Sequence, residues 1–195
     1  MKISGVLLAA GAARRFGRPK ALLSWQGEAL VARAARALLE AGAHECLVVL
    51  GSDAAEVRAA LGDLPVRCVK NPRWEAGMGA SIAAGVAAAS GDACLVTLAD
   101  QPGVDAALLA RLIAASREGH PRVACRYADT LGVPALFSDA DDLATLRKLD
   151  GDRGARALLA SAPERAFALD APEAAFDIDD EADWERWQLR NSRSP

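Results

Sequence analysis

The sequence predicts an α/β fold with a mostly parallel sheet. Three observations carry the prediction. Short continuous apolar runs, at 2–10, 46–50, 66–69 and 93–99, read as strands buried on both faces. Stretches with helical spacing separate them, at 29–41, 54–61, 82–89 and 105–116. Glycine, proline or asparagine marks each change of period. Strand–helix–strand units of this length form parallel sheets with right-handed crossovers. The chain has 195 residues, 52% of them hydrophobic, enough for one substantial core. No repeat, linker or shift in composition divides it, so 1–190 is expected to be a single domain and 191–195 a polar tail.

The elements follow in order. Ile3, Val6, Leu7 and Leu8 make the first buried strand, and a loop with three arginines and Lys20 follows it. Residues 21–25 and Gly27 form a hinge. Leu30, Ala34, Ala37, Leu38 and Ala41 fall on one helical face, and Gly42 ends that helix as a C-cap. After the second strand, Gly51, Ser52 and Asp53 turn the chain into a second helix. Asn71 and Pro72 stop the third strand, and 73–81 has no period. A helix over 82–89, a strand over 93–99 and a helix over 105–116, capped by Asp105, complete the regular part. Further on, 123–127 reads as a strand and 130–137 as an irregular strand. Helices are expected at 139–149 and 153–159, short strands at 166–169 and 175–178, and a closing helix at 181–189.

Composition excludes several classes. A net charge of −3 gives no general attraction to nucleic acid or an anionic membrane, and 5% aromatics supply no stacking platform for single strands. The apolar start is short and followed by arginines, the reverse of a signal peptide, and no run approaches a membrane span. A cytoplasmic protein is expected. Cys46, Cys68, Cys94 and Cys125 have no C-x-x-C spacing and read as reduced, mostly buried thiols.

The chemistry is expected at the strand ends. The first loop is neither a dinucleotide fingerprint, because Ala12 and Ala13 follow Gly11, nor a Walker A loop, because Arg18 follows Gly17. It remains a small-residue turn at Ala9, Ala10 and Gly11 with a cationic arc, in which Arg15 can fork around phosphate and Lys20 supplies a point charge. Asp100 follows an apolar strand directly, at the edge where open α/β sheets bind ligands. A carboxylate there would repel a triphosphate unless a cation stood between them, which implies a Mg²⁺–nucleotide complex. Asp177 and Asp179 share a face if extended, and either Asp179 or Asp180 can cap the last helix. Gly77, Met78, Gly79 and Ser81 precede a helix and can present donors to a ligand. No Ser/His/Asp or Cys/His arrangement supports a hydrolase.

Six blocks in order carry a resemblance. They are Leu8-Ala9-Ala10-Gly11-x-x-x-Arg15-Phe16-Gly17-x-Pro19-Lys20, Asn71-Pro72-x-Trp74-x-x-Gly77-Met78-Gly79-x-Ser81, Leu98-Ala99-Asp100-Gln101-Pro102, Gly132-x-Pro134-x-Leu136-Phe137, Gly151-Asp152-x-Gly154-Ala155-Arg156 and Asp177-Ile178-Asp179. Together they resemble the nucleotidyltransferases that process molybdenum cofactor, nearest the cytidylyltransferase branch. The resemblance implies a Rossmann-like three-layer sandwich of the nucleotide-diphospho-sugar transferase type. It also implies transfer of a nucleoside monophosphate from an NTP to a phosphate-bearing acceptor, with release of pyrophosphate.

Carried over by position, Leu8, Ala9, Ala10, Gly11 and Ser81 would hold the nucleotide, and Arg15 and Lys20 the triphosphate. Asp100 and Asp179 would hold Mg²⁺. Asn71, Trp74, Gly77, Met78, Gly79, Gly132 and Pro134 would face the acceptor, a molybdopterin-type molecule. A molybdoenzyme or its maturation factor is an implied partner. Related guanylyltransferases tend to carry Gly where this chain has Ala10, which favours CTP over GTP. The late motif departs from the family pattern, since Asp180 and Glu181 follow Asp179. Two alternatives stay open: a sugar, polyol or hydroxy-acid phosphate as acceptor, or a non-catalytic nucleotide carrier.

Overall fold

The computed structural model describes residues 1–11, 16–127 and 129–192. In chain order the elements are β1 (Ile3–Ala9), β2 (Ser24–Trp25), β3 (Glu28–Ala29), α1 (Leu30–Glu40), β4 (Glu45–Leu50), α2 (Ala54–Ala60), β5 (Arg67–Lys70), α3 (Met78–Ala88), β6 (Ala93–Leu98) and α4 (Ala106–Arg117). They continue with β7 (Arg122–Tyr127), β8 (Thr130–Phe137), α5 (Ala140–Leu146), α6 (Ala155–Ser161), β9 (Phe167–Asp170) and α7 (Glu181–Asn191). Seven strands form one sheet in the order β5-β4-β1-β6-β8-β7-β9. All neighbouring pairs are parallel except those of β8, which runs antiparallel to β6 and β7. The mostly parallel α/β sheet expected from the apolar runs is present.

Alternation along the strands builds three layers. Ile3 and Leu7 of β1, with Cys46, Val48 and Leu50 of β4, join one core beneath α1, α2 and α4. Val6 and Leu8, with Leu47 and Val49, join the other core, against α3, α5 and α6. Both faces of these strands are buried, which is why their sequences read as continuous apolar runs. A third cluster gathers Phe16, Leu23, Trp25, Leu30, Ile178 and Trp184, with Phe176 and Trp187 against it. It docks α7 on the β2–β3 hairpin, where Trp25 meets the edges of Trp184 and Trp187 at centroid distances of 6.1 and 6.3 Å.

Several elements differ from the sequence reading. The hinge at 21–27 is a 3-10 turn at Lys20–Leu22 followed by the β2–β3 hairpin. Gln26 and Gly27 turn it with φ of 52° and 84°, the paired positive φ of a type I′ turn. Helix α3 begins at Met78, four residues before the expected start, because contacts from the 150–154 turn fix the glycine-rich stretch in helical form. Residues 175–178 do not form a strand. Pro172 opens a 3-10 turn over Pro172–Ala175, and the chain then crosses the end of the sheet, tied by the Ile178 N–H to the Asp100 carbonyl at 3.0 Å. Residues 130–137 do form the expected irregular strand: the register against β7 jumps between Ala124, opposite Ala135, and Cys125, opposite Gly132. The four cysteines are free thiols, with Cys46, Cys94 and Cys125 buried. Among the described residues no helix is long and apolar enough to cross a membrane.

One buried ion pair holds the second half together. Arg122 at the start of β7 is 1% exposed and Asp142 of α5 is 2% exposed. The Arg122 Nε donates to Asp142 Oδ2 at 2.8 Å, and Nη2 to Oδ1, forming a fork. Its remaining Nη1 donates to the carbonyls of Leu158 and Ala162 at 3.3 and 3.1 Å. Strand β7, α5 and the end of α6 therefore meet at one guanidinium. Removing one partner of such a pair strands the other charge. Asp142→Asn is expected to cost about 3–5 kcal/mol in urea unfolding. The double change Arg122→Met with Asp142→Leu is expected to cost less than that single change.

Candidate functional site

The strand order reverses between β1 and β6, because β4 and β5 lie on one side of β1 and the chain crosses back to the other. Ligands of open α/β sheets sit outside the carboxyl ends of the strands at such a reversal. A cleft of about 520 Å³ opens there. Its floor is Leu8, Ala9, Ala10 and Gly11 after β1 and Leu98, Ala99 and Asp100 after β6. Lys20 and Ala21 form one rim. Trp74, Glu75, Gly77, Met78, Ser81 and Asp152 form the other.

Lys20 draws three distant segments together. Its Nζ lies 2.9 Å from Asp179 Oδ1 and 3.8 Å from Asp100 Oδ2. Asp100 keeps 30% of its side-chain surface open to the cleft. Even so, burial against the sheet end pushes its pKa up to about 6, the neighbouring Asp177 adds to the rise, and Lys20 partly offsets it. Burial also raises Asp177, with the Gln101 side chain beside it partly offsetting the rise. The late acidic run is divided by role. Asp180 is the N-cap of α7, its side chain accepting from the Asp183 N–H at 2.9 Å in a capping box. That leaves Asp179, next to it, free to face Lys20. Asp105 caps α4 by accepting from the Leu108 N–H at 2.8 Å, so capping does not occupy Asp100.

The opposite rim is built from two stretches far apart in sequence. Gly77 has a φ of 118°, which favours glycine, and a Cβ there would sit 2.5 Å from Asp152 Oδ1 and the Gly151 carbonyl. Gly79 donates its N–H to the Gly151 carbonyl at 2.8 Å, and a Cβ there would meet the carbonyls of Asp150, Gly151 and Arg153 at 2.8 to 3.0 Å. The 150–154 turn is thus seated on the first turn of α3, and it carries Asp152 to the cleft. An Arg73–Asp150 ion pair at 2.7 Å closes the same joint at the surface.

Not every residue singled out in the sequence reaches this cleft. Leu8, Ala9, Ala10, Gly11, Lys20, Trp74, Gly77, Met78, Ser81 and Asp100 line it. Arg15 lies outside the described residues. Gly79 is covered by the 150–154 turn. Asn71 is 4% exposed and sits behind Ser81. Gly132 packs against the Tyr127 hydroxyl, which donates to the Val133 carbonyl at 3.0 Å. Pro134 is buried within β8. Gln101 ties that region to the cleft loop through its Nε2, which donates to the Val133 and Ala174 carbonyls at 3.3 and 3.0 Å. Glu75 and Asp152 line the cleft without having been singled out as site residues. The Gly151–Gly154 block was the available signal for Asp152, whereas Glu75 lies in an aperiodic run that gives none.

Residues 5–166 match the family described as the MobA-like NTP transferase domain. The chain belongs to that family. As a member it is a nucleotidyltransferase, and its sheet is that of the nucleotide-diphospho-sugar transferase fold. Over 171 residues it is 39% identical to a "Nicotine blue oxidoreductase" of Paenarthrobacter nicotinovorans, covering 83% of each chain. Over 201 residues it is 33% identical to a "Probable molybdenum cofactor guanylyltransferase" of Opitutus terrae, covering 99% of this chain and 91% of that one. Among solved structures, a nucleotidyl transferase from Methanothermobacter thermautotrophicus superposes with a TM-score of 0.85 at 30% identity, covering 100% of this chain and 99% of that one. Rv0371c from Mycobacterium tuberculosis H37Rv, in complex with manganese, superposes with a TM-score of 0.77 at 30% identity over 95% of this chain and 97% of that one.

The donor set in this MobA-like cleft suits a hard divalent cation. Asp100 and Asp179 present carboxylate oxygens to one shared positive charge. Among the described residues no group of three His, Cys, Asp or Glu side chains stands ready to hold a metal.

The raised pKa of Asp100 has a stability consequence. The unfolded chain ionises this carboxyl near its ordinary value of 3.8, and the folded chain at about 6. Ionisation therefore weakens the ligand-free fold progressively across that window, and the loss is complete above it. Asp100→Asn is expected to raise the melting temperature at pH 8 without ligand, with the difference closing as the pH falls to 4. A melting difference independent of pH would show that Asp100 ionises normally.

Proposed function

We propose that this chain transfers a nucleoside monophosphate, CMP from CTP, to the terminal phosphate of a molybdopterin-type acceptor. The observation that carries the reading is Lys20 on the rim of the cleft, paired with Asp100 of its floor and with Asp179 just outside its lining. The relatives named as molybdenum cofactor guanylyltransferases support the acceptor class. Ala10 supports the base: it lines the floor and is 6% exposed, so its methyl group is fixed in the packing and narrows the space for a purine.

In this reading the backbone of Ala9, Ala10 and Gly11 seats the nucleotide, and Lys20 neutralises the triphosphate. Asp100 and Asp179 would hold Mg²⁺, which when bound offsets charge on the phosphate oxygens. Lys20 has two alternative partners, the two carboxylates or the triphosphate, and serves the phosphates once the carboxylates are otherwise engaged. An oxygen of the acceptor phosphate forms the new bond to the α-phosphorus as the bond to the bridging oxygen breaks, and pyrophosphate leaves with that electron pair. The acceptor phosphate is already ionised at neutral pH, so no general base is needed. The protein's contribution is alignment and charge neutralisation. Trp74, Met78, Glu75 and Asp152 are left to face the acceptor.

A second reading takes GTP as donor, favoured by the guanylyltransferase names of several relatives. Hydride transfer, suggested by the name of one relative, draws no support from the first loop, which lacks the second glycine of a dinucleotide fingerprint.

Two measurements test the proposal. With Mg²⁺ present, CTP is expected to raise the melting temperature more than GTP, ATP or UTP does, because a ligand bound only to the folded state stabilises it. A larger rise with GTP would move the assignment to the second reading. In a pyrophosphate-release assay with a molybdopterin acceptor, Asp100→Ala is expected to stay folded and to lose about a hundredfold or more in rate. Wild-type release by that variant would remove Asp100 from the reaction.

A further inference from the structure

We infer that Asn71 is a positioning residue that aims the Ser81 hydroxyl proton into the cleft, making Ser81 a directed donor to an oxygen or nitrogen acceptor of the bound nucleotide. This inference rests on the nucleotide reading of the cleft.

Asn71 follows β5 and is anchored by its N–H to the Leu50 carbonyl at 2.9 Å. Its side chain, 4% exposed, has both ends in use. Oδ1 accepts the Arg73 N–H at 2.9 Å, closing the turn through Pro72. A backbone N–H can only donate, so the amide orientation is settled: oxygen toward Arg73 and Nδ2 away from it. Nδ2 lies 3.1 Å from Ser81 Oγ. An amide nitrogen only donates, so Ser81 must accept that bond. Its own proton then points elsewhere, and no protein acceptor takes it among the described residues. Ser81 is 4% exposed, and the surface it keeps lies in the cleft. A buried hydroxyl donor costs free energy when left unpaired, so a ligand acceptor gains by meeting it. The direction is fixed in advance by the Arg73 N–H that holds the Asn71 amide, which is how a donor is preorganised.

The test exploits an isosteric change that reverses the bond. Asn71→Asp keeps an oxygen for the Arg73 N–H but replaces the donor to Ser81 with an acceptor. The Ser81 proton would then turn toward the new carboxylate and away from the cleft. Binding of Mg²⁺·CTP and Mg²⁺·GTP is measured by titration calorimetry at pH 8.5 for wild type, N71D, S81A and N71D/S81A, with melting curves for each.

For the better nucleotide, N71D and S81A are each expected to bind about tenfold more weakly, the worth of one hydrogen bond. The double variant is expected to lose no more than S81A alone. In turnover the loss is expected in KM, with kcat little changed. Additive losses in the double variant, or wild-type affinity in S81A, would overturn the inference. If N71D does not fold, Asn71→Ala takes its place in the same cycle, with a smaller expected loss that again vanishes beside S81A. Failure of the wild type to bind any nucleotide would instead strike at the proposed function.

Discussion

The register of β1 between β4 and β6 is the constraint on which the rest depends. Two parallel ladders, Ser4–Ala9 against Glu45–Leu50 and Ile3–Leu8 against Ala93–Leu98, bring Ala9 and Leu98 to the same edge. A slip of one residue on either side would turn every side chain of the strand to the opposite face and exchange the two cores. Because both faces of β1 are buried, no such slip is tolerated. The positions of Gly11 and Asp100 relative to each other are therefore set by packing throughout the sheet.

That rigid edge supports an electrostatically unfavourable arrangement. Three carboxylates gather around one ammonium, in surroundings deep enough to raise the pKa of two of them. Such a cluster weakens a ligand-free fold, and apolar side chains would pack the same space at lower cost. Its persistence makes sense where charge is to be delivered from outside, and a metal–nucleotide complex delivers both signs. The strong interactions elsewhere, notably the fully paired Arg122–Asp142 fork, keep the second half of the sheet in place regardless of what happens in the cleft.

Most of the sheet was legible because its strands are buried on both faces, leaving local hydrophobicity as a sufficient signal. Asp100 was legible for a related reason: a charged residue directly after such a strand has nowhere to lie but the sheet edge, whereas Lys20, far along the loop after β1, was legible through its motif. What the sequence hid was decided by contacts across long separations. The helical state of Met78 to Ser81 depends on a carbonyl at Gly151. Asp177, Asp179 and Asp180 are near-identical in sequence, and only the capping of α7 and the reach of Lys20 tell them apart. Asn71 was expected to face the acceptor, but it is buried with its amide against Ser81, ten residues later, a contact that local sequence does not signal.

The aromatic seam that docks α7 has a consequence for the order in which the site is completed during synthesis. Lys20 and Asp100 leave the ribosome early and lie within the stretch that matches the family, whereas Asp179 lies beyond its end at residue 166. Trp184 and Trp187 clamp α7 onto Trp25, and Asp180 beside Asp179 caps that helix. A growing chain can thus form the sheet and its cleft while the carboxylate set is still incomplete. Assembly of the floor and arming of the site become separate events, the second waiting on α7.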